Sequence, residues 1–377
     1  MAFSNIKKDG HNKLTFDIAD LDISIVNAIR RIILSEIPTI ALAFDPISDK
    51  NPDITITTNK SPLHNEFFAH RLSLIPMHFD AETIDTYNPD DYVFKLKVKN
   101  TGTDIMSITT KDIKIYDSKA ALYPESFHEK IFPKDPITKK YILITKLRPN
   151  IYYPDKGEEV DVIFKGSKNI AKAHSRWSSV SCCALSNKID EELVKKAFQK
   201  TLDDLKKQKG EELTPKEVEA VSSKFVIEKY RHYVKNKYGE ASEFHFKIES
   251  ECALLPTYIF GKALDILIAK LENVRNIDLD IRVIQENQKF YNIIFVDEDY
   301  TLLNVLQCMI YNNEIRGNPA TPLEYIGYYQ PHPLDNKMIM KIKFDNQKDL
   351  DVGAFVKDCI KVIIDNINTV KDAWQTK

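Results

Sequence analysis

Two eleven-residue segments of this chain carry the same pattern of side chains. Ser24–Leu34 reads SIVNAIRRIIL and Thr301–Tyr311 reads TLLNVLQCMIY, and the offset between them is constant at 277 residues. Hydroxyl, apolar and asparagine positions coincide, including Asn27 with Asn304. An internal repeat predicts that the chain folds as two homologous halves. Amphipathic helices resemble one another easily, so a match this short needs further support.

Each segment also predicts a helix with a wide apolar stripe. Over residues 24–36 the apolar positions follow helical spacing, Ser24 is the expected N-cap, and Pro38 ends the helix. A stripe this wide needs a partner, so we expect the halves to pack about a pseudo-two-fold axis, as a dimer within one chain. The expected intrachain interface is formed by Ile25, Ile29, Ile32, Ile33, Leu302, Val305, Leu306 and Met309.

The rest of the chain divides by pattern. Residues 46–165 predict short strands broken by prolines, and residues 190–240 predict charged surface helices, with a capping box at Thr214–Glu217. Helices beginning near Pro256 and covering about 350–374 carry apolar residues in alternating steps of four and three. Such heptad seams predict that these two helices pack on one another or on related elements.

Composition narrows the function classes. Lys and Arg total 53 and Asp and Glu total 55, so the net charge of −2 argues against nucleic acid as the main partner. The sequence contains no apolar run of roughly 18 residues and no hydrophobic signal core, which predicts a soluble intracellular protein. The five cysteines form no C-x-x-C pair, so we expect reduced, mostly buried thiols and no zinc ribbon.

The sequence offers little for catalysis. It contains no phosphate-binding Walker loop, no D-x-D-x-D carboxylate triplet and no recognisable nucleophile elbow. Glu66 and His70 share a helix face and form either a catalytic pair or, as we favour, a structural hydrogen-bonded pair. We therefore expect no active site in this chain.

Three motifs in the first part of the chain resemble the alpha-type subunit of cellular RNA polymerases. The helix motif is Asn27-Ala28-Ile29-Arg30-Arg31 followed by Leu34-Ser35-Glu36-Ile37-Pro38-Thr39. The second motif runs from Asn59 to Pro76 and includes Glu66, His70 and Arg71, and the third is Ala171–Trp177. All three stand in the order that the family has.

The last part of the chain is similar to the small partner subunit of the same enzymes, called L in archaea and the eleventh subunit in eukaryotes. Thr301-Leu302-x-Asn304-x-Leu306 matches its helix, and Tyr325-x-Gly327-Tyr328-x-x-Pro331-His332-Pro333-Leu334 is the most distinctive match. In most organisms these are two chains. Here they look fused, as in the polymerases of large cytoplasmic DNA viruses.

This resemblance implies an α+β fold of two alpha-type dimerisation halves, packed as an intrachain pseudo-dimer with a β-rich domain inserted in the first half. It implies a first dimerisation domain of residues 1–45 and 167–276 with the helical insert 190–240, an inserted domain of residues 46–166, and a second dimerisation domain of residues 277–377. Many relatives carry a zinc or iron–sulfur site in the inserted domain. Residues 46–165 contain no cysteine, so we expect no such cofactor in this chain.

The resemblance also implies a role as a non-catalytic assembly platform of DNA-directed RNA polymerase, with one copy per enzyme. Its partners would be the second-largest and largest subunits and a small tenth-subunit-like zinc adaptor, with DNA contacted only indirectly and no membrane. The implied large-subunit contacts are Arg30, Arg31, Leu34, Glu66, His70, Arg71, His174 and Trp177. Tyr325, Tyr328, Pro331, His332 and Pro333 would form an interface hairpin in the second half.

Several alternatives stay open. Arg30 and Arg31 could be solvated, Trp177 with His174 could be a packed aromatic pair, and the tyrosine–proline hairpin could be a self-packed turn. A scaffold of the same fold in another viral or cellular complex is the main functional rival, and an independently acting nucleotidyltransferase is the third. The viral resemblance alone implies a location in the virion and in the cytoplasm of the host.

Overall fold

The computed structural model describes residues 2–45, 53–286, 288–318, 320–345 and 351–376. By their internal contacts these residues form two compact units. The first unit contains residues 1–32, 182–248 and 260–377, and the second contains residues 33–181 and 249–259. Helices and strands alternate irregularly along the chain, as an α+β fold predicts.

The strands, numbered along the chain, are β1 Ala2–Asp9, β2 Lys13–Ala19, β3 Pro38–Ala41, β4 Ile54–Asn59, β5 Val93–Lys99, β6 Met106–Thr109, β7 Ile113–Tyr116, β8 Leu143–Leu147, β9 Glu159–Phe164, β10 Ser167–Ile170, β11 Val180–Asn187, β12 Glu243–Ser250, β13 Asp280–Glu286, β14 Gln288–Val296, β15 Leu323–Tyr329 and β16 Lys337–Phe344. The α-helices are α1 Ile23–Ser35, α2 Asn65–Ser73, α3 Ala81–Thr86, α4 Glu125–Ile131, α5 Glu191–Lys209, α6 Pro215–Glu228, α7 Pro256–Asn276, α8 Tyr300–Ile310 and α9 Val352–Gln375. A π-helical turn, Tyr311–Arg316, continues α8.

The first unit contains the same topology twice. One four-stranded sheet has the order β1-β2-β12-β11 and the other has the order β13-β14-β16-β15. In both cases a hairpin leads to a helix, two further strands complete the sheet, and a long helix follows. Helix α1 thus corresponds to α8, and α7 corresponds to α9. The repeat that two short segments predict therefore extends over the whole of both halves, which confirms the two-half α+β arrangement.

Alternation along the strands places the core on one face of each sheet. In β12 the side chains of Phe244, Phe246 and Ile248 are fully buried, while those between them are exposed or partly exposed. Strand β16 alternates in the same way, with four buried side chains between partly exposed or exposed ones. Each sheet therefore has a core face, which packs on apolar side chains, and an outward face.

Helices α5 and α6 form a hairpin inserted between β11 and β12 of the first half. Neither helix has a buried residue, and the two touch through an edge-to-face contact of Phe198 with Phe225. At the base of this hairpin Ile189 and Tyr233 form a β-bridge. The predicted capping box at Thr214 is present, and Gly210 ends α5 with a left-handed φ of 73°.

The second unit is built around the sheet β4-β9-β5-β7. Phe94 and Phe164 stack across neighbouring strands with ring centroids 5.3 Å apart, and both side chains are buried. Two smaller sheets, β10-β3 and β6-β8, and helices α2, α3 and α4 complete this unit. The predicted β-rich character of residues 46–165 is therefore confirmed for the described part of that range.

Several predicted boundaries shift by one or two residues. The helix expected over 24–36 is Ile23–Ser35, and the final helix expected over 350–374 is Val352–Gln375, with residue 350 outside the described residues. The predicted inserted-domain boundaries, 46–166, remain a prediction. The second compact unit is larger than the predicted inserted domain. It also includes flanking segments such as β3, which pairs with β10.

Candidate functional site

The two helices of the repeat begin in the same way. Asp22 Oδ1 accepts a hydrogen bond from the Ser24 backbone at 2.8 Å, and Asp299 Oδ1 accepts one from the Thr301 backbone at 2.8 Å. Asp22 and Asp299 are separated by the same 277 residues as the repeat itself. The prediction of Ser24 as the N-cap is therefore wrong. A carboxylate two positions earlier caps each helix, and it satisfies a backbone N–H that lacks an intrahelical partner.

The predicted interface stripe lies in the core. Ile25, Ile29 and Ile32 of α1 expose at most 1% of their surface. Leu302, Val305 and Leu306 of α8 are equally buried, and Met309 is 8% exposed. Ile33 is buried as well but belongs to the second unit. That these particular side chains pair across the two halves remains a prediction.

Polar side chains lie at the contact between α1 and α8. Arg31 Nε, on α1, donates to Thr301 Oγ1, on α8, at 2.8 Å. The equivalent residues after the 277-residue offset are Cys308 and Ser24. Burial raises the pKa of the Cys308 thiol, and the nearby Ser24 hydroxyl opposes that effect. In a two-fold interface residue i meets j and residue j meets i, and the proximity of these two pairs follows that rule.

A small polar cavity of about 160 Å³ lies between the same helices. Asn27 and Asn304, the matched asparagines of the repeat, both line it. Asn27 Oδ1 accepts from Arg30 Nε at 3.0 Å, and Asn304 Oδ1 accepts from the Tyr328 hydroxyl at 3.1 Å. The repeated asparagine therefore stabilises its own half in each case, and the space between the halves is large enough for a few water molecules.

The long helices α7 and α9 meet around one tryptophan. The ring of Trp374, on α9, lies 4.4 Å from that of Phe260, on α7, and 4.9 Å from that of Phe16, on β2. Lys371 and Asp265 form an ion pair between the same two helices at 2.6 Å. The sequence predicts both heptad seams, and the structure confirms that these helices pack on one another.

The π-helical turn after α8 adds polar contacts to the first half. Arg316 Nη1 donates to Glu240 Oε1 at 2.8 Å, and its guanidinium lies over the ring of Tyr238 at 4.8 Å. Asn312 Nδ2 donates to Asp22 Oδ2 at 2.8 Å, so the cap of α1 is itself held by the second half. These contacts lie at the rim of the junction between the halves, outside its apolar centre.

The predicted contact residues on α2 are exposed. Glu66, His70 and Arg71 all have exposed side chains, and Arg71 Nη2 donates to the Leu143 carbonyl at 2.9 Å. The expected hydrogen bond between Glu66 and His70 is absent from the described structure, so that interpretation is wrong. His70 instead lies against Phe44, with ring centroids 5.8 Å apart. Phe67, on the same helix, is 70% exposed.

The segment around His174 turns back on itself. His174 Nδ1 accepts from the Arg176 backbone at 3.2 Å, and Trp177 Nε1 donates to the Ser167 carbonyl at 3.0 Å. Trp177 is only 5% exposed, so its ring packs inside its own unit, whereas His174 is exposed. The sequence left two interpretations open for this segment, a contact to a large subunit or a packed aromatic pair. The packed interpretation applies to Trp177. Any partner contact by this segment would involve His174 and its neighbours.

The remaining predicted residues lie where a partner could reach them or just beneath the surface. Arg31 is exposed, while Arg30 and Leu34 are half-buried. Strand β15 is an edge strand paired with β16, and it contains Tyr325 and Tyr328. The loop that follows contains Pro331, His332 and Pro333, all exposed. Tyr325 is 48% exposed, whereas Tyr328 is half-buried against Asn304.

In the described residues, no three His, Cys, Asp or Glu side chains lie close enough together to bind a metal ion. All five cysteines are free, and two of them, Cys183 and Cys359, are buried. Burial raises the pKa of each of these two thiols to about 12. Both therefore remain protonated and unreactive at neutral pH. Within the described residues no helix has both the length and the apolarity that crossing a membrane requires.

Comparison with known families agrees with this geometry. Residues 15–271 match the family described as the RNA polymerase Rpb3/Rpb11 dimerisation domain. Residues 291–373 match a second family with the same description. The chain belongs to the Rpb3/Rpb11 dimerisation family. Two matches in tandem correspond to the two halves of the repeated topology.

Several relatives of this Rpb3/Rpb11-type chain are subunits of RNA polymerases. DNA-directed RNA polymerases IV and V subunit 3B of Arabidopsis thaliana is 27% identical over 301 residues, which cover 71% of this chain and 88% of the relative. Subunit RPAC1 of the bovine (Bos taurus) RNA polymerases I and III is 26% identical over 292 residues, covering 69% and 80%. RNA polymerase II subunit RPB3 of Schizosaccharomyces pombe is 29% identical over 196 residues, covering 48% and 57%.

Sequence reasoning missed several residues of this Rpb3/Rpb11-type junction. Asp22 and Asp299 repeat at the same offset as the helices, so extending the alignment by two positions would have found them. Asn312 and Arg316 follow α8 in a π-helical turn, a geometry that no periodic pattern indicates. Glu240 lies in a loop between β-bridged segments, and nothing local marks it as the partner of Arg316.

Proposed function

We propose that this chain is a non-catalytic assembly subunit of a DNA-directed RNA polymerase. It recruits the second-largest subunit and then the largest, with a small tenth-subunit-like zinc adaptor alongside, and it is present once per enzyme. The observation that carries this proposal is the repeated sheet-and-helix topology, together with the Arg31–Thr301 hydrogen bond between α1 and α8. The two dimerisation-domain matches, and the polymerase subunits among the relatives of this chain, support the same assignment.

Joining two halves in one chain suits a platform. Docking becomes intramolecular, and a short connection can raise the effective concentration of the partner half to about the millimolar range. The halves then need no separate association step, and their stoichiometry is fixed. In this proposal each half supplies the apolar cover of the other, so the outer surfaces remain available to partner subunits.

Helix α2 is the surface that we propose for the second-largest subunit. Glu66, His70 and Arg71 surround Phe67 and Leu74, which are 70% and 52% exposed. An exposed large aromatic side chain within a polar rim has the anatomy of a protein–protein hot spot. Arg30, Leu34 and His174 are further candidates that the family resemblance supplies.

Arg31 is a poor reporter of partner binding, although the resemblance implies that it contacts a large subunit. Its Nε already donates to Thr301, so its removal changes the junction between α1 and α8 as well as the outer surface. A substitution on α2 separates the two effects better, because Glu66 and Phe67 are exposed side chains whose removal leaves the core intact.

Co-expression with the second-largest subunit tests the proposal. The complex is purified by size-exclusion chromatography and its mass is measured by light scattering, for the wild-type chain, for Glu66→Ala with Phe67→Ala, and for Tyr152→Ala. Tyr152 is 88% exposed in the same unit and serves as the matched control. We expect a one-to-one complex for the wild type and the control, and at least about tenfold weaker binding for the double variant, as for a hot spot.

Two outcomes would contradict the proposal in different ways. Failure of the wild-type chain to bind would reject the polymerase role and favour a scaffold of the same fold in another complex. Normal binding by the double variant would keep the polymerase role and reject α2 as the contact surface. We also propose that the chain needs no zinc or iron–sulfur site of its own, which elemental analysis of the purified protein tests.

The fused arrangement leads to one further expectation. In a large DNA virus that encodes such a subunit, the protein is expected in the virion and in the host cytoplasm, at the same copy number as the catalytic subunits. Quantitative mass spectrometry of purified particles tests this. A large excess of this chain over the catalytic subunits would favour a structural role.

A further inference from the structure

The outward face of the second half's sheet carries aromatic and basic side chains together. The residues of this aromatic face are Arg282, Phe290, Tyr325, Tyr329, Lys341 and Lys343. We propose that the aromatic face binds single-stranded nucleic acid by stacking bases on its tyrosine rings. This would be a binding activity in addition to the assembly role.

Strand register places these side chains on one side of the sheet. Phe290 and Tyr325 both lie opposite Lys343 on β16, and Tyr329 lies opposite Ile339. Arg282 lies opposite Asn292, which in turn lies opposite Lys341. The alternate residues, such as Ile293 and Met340, are fully buried on the core face. The aromatic rings therefore do not serve the core of this half.

The tyrosines are available for stacking. Tyr325 is 48% exposed and Tyr329 is 44% exposed, and both lie on β15, an edge strand. Tyr329 follows Tyr325 by four positions, so their Cα atoms are about 13 Å apart along a strand at about 3.3 Å per residue. The Tyr325 ring lies over Gly327, between the two tyrosines. Phe290 supports Tyr325 through an edge-to-face contact with centroids 6.2 Å apart.

The charge of the face suits a polyanion. Lys341 lies over the Phe290 ring at 4.3 Å, and no carboxylate pairs with it in the described part of the chain. Arg282 pairs with Asp280 at 3.0 Å, and Lys343 pairs with Glu324, but both ion pairs have an exposed acidic partner. Phosphates can displace such exposed pairs at little cost, because solvent-exposed ion pairs contribute little to stability. Basic side chains beside exposed rings are the pattern of single-strand binding sites.

The first half provides an internal comparison, because it has the same sheet topology. Its outward positions on β2 and β12 include Asp17, Glu243 and His245 but no Phe, Tyr or Trp. His245 Nδ1 lies 2.8 Å from Asp17 Oδ1, and Lys188 pairs with Glu243 at 2.7 Å. The polar side chains of this face therefore pair with one another. The fold therefore does not require aromatic residues on an outward face, and their presence in the second half needs another reason.

Binding is measured with the full-length chain and a fluorescently labelled twenty-nucleotide oligothymidylate or oligouridylate, by fluorescence anisotropy at low salt. The variants are Tyr325→Ala with Tyr329→Ala, and Lys341→Gln. Tyr152→Ala with Tyr153→Ala is the matched control, because these two exposed tyrosines lie in the other unit. Circular dichroism checks that each variant is folded, and blunt duplex of the same length tests the preference for single strands.

We expect saturable binding of the single strand, about tenfold or more weaker binding by the tyrosine variant, and no change in the control. Lys341→Gln should reduce the slope of log affinity against log salt concentration by about 0.7, as expected when the protein neutralises one phosphate fewer on a single strand. Equal affinity of the tyrosine variant and the wild type would overturn the proposal. So would equal or stronger binding of the duplex, whose bases cannot stack on protein rings, or no binding by the wild-type chain.

Discussion

At the scale of single residues, the repeat predicts which residues of the two halves are equivalent, but it does not predict which residues are in contact. Ser24 with Thr301, and Arg31 with Cys308, are equivalent by their offset. That Arg31 donates a hydrogen bond to Thr301, and that Cys308 lies near Ser24, depends on how α1 and α8 cross, which periodicity does not specify. For the same reason the sequence identifies Tyr325 as part of a hairpin but not as part of an aromatic face, since strand register decides which side chains share a side.

The Arg31–Thr301 hydrogen bond should couple the two halves energetically. We expect Arg31→Ala and Thr301→Val, combined in a double-mutant cycle, to give a coupling energy of about 1 kcal/mol, because the donor is charged but exposed. Urea unfolding of the four proteins measures it. The exposed Arg282–Asp280 ion pair is the control and should give less than about 0.5 kcal/mol. A coupling energy of zero for Arg31 and Thr301 would contradict this hydrogen bond.

Asp17 should make the stability of the first half depend on pH. Burial would raise its pKa, but hydrogen bonds from His245 and Asn5 and the charge of Lys188 outweigh burial, so its pKa lies below the usual value. A lowered pKa in the folded state means that the carboxylate stabilises the fold above its unfolded pKa of about 3.9. That contribution disappears as the pH falls through the folded-state value.

Asp17→Asn tests this dependence on pH. We expect the variant to be less stable than the wild type by about 1–3 kcal/mol at pH 7, because partners of a buried carboxylate lose their acceptor. The difference should shrink at pH 3, because this pH lies below the unfolded pKa of about 3.9, so the unfolded carboxylate binds protons more readily than the folded one. Urea unfolding at both pH values measures it, and a difference that does not change with pH would show that Asp17 acts by packing alone.

At the scale of elements, the helices were more predictable than the strands. Heptad spacing on α7 and α9 is long enough to indicate both helices, but it leaves open whether they pack on one another or on related elements. The capping box of α6 marks its first turn. The hairpins β1-β2 and β13-β14 were not predicted, because short strands with mixed polar residues give a weak period-two signal. Helix α2 was predicted from its family motif, since its own apolar pattern is short.

Trp374 should be the largest single contributor to the α7–α9 contact. Its ring meets Phe3, Phe16 and Phe260 with centroids 4.4–5.0 Å apart. We expect Trp374→Ala to lower the free energy of unfolding by about 3–5 kcal/mol, the usual cost of a large cavity. Val362→Ala, on the same helix but 48% exposed, should change it by less than about 0.5 kcal/mol. Equal effects in denaturant unfolding would contradict this packing.

The α5–α6 hairpin should be dispensable for folding. Neither helix has a buried residue, and the Asp190 backbone N–H donates to the His232 carbonyl at 3.0 Å, so the ends of the hairpin are adjacent. Replacing residues 191–231 by a short glycine–serine linker should change the free energy of unfolding by less than about 1 kcal/mol. A much larger decrease in urea unfolding would show that these helices support the sheet of the first half.

At the scale of the whole molecule, one topology occurs twice in a single chain. The sequence predicted this arrangement from eleven residues and from family motifs, and both dimerisation matches agree with it. The sequence did not predict the boundaries of the two compact units. Residues 249–259 belong to the same unit as residues 33–181, from which they are distant in sequence. Hydrogen bonds such as that from the Glu251 backbone to the Ser179 carbonyl hold this segment there, and no local pattern encodes them.

The central claim is that each half occupies the dimerisation surface of the other within the same chain. Light scattering of the purified protein, coupled to size-exclusion chromatography over a range of concentrations, tests this most directly. We predict a monomer of 43.5 kDa at every concentration, because the apolar stripes of α1 and α8 are already buried. A species of twice that mass that dissociates on dilution would contradict the claim, since it would mean that the dimerisation surfaces meet between chains.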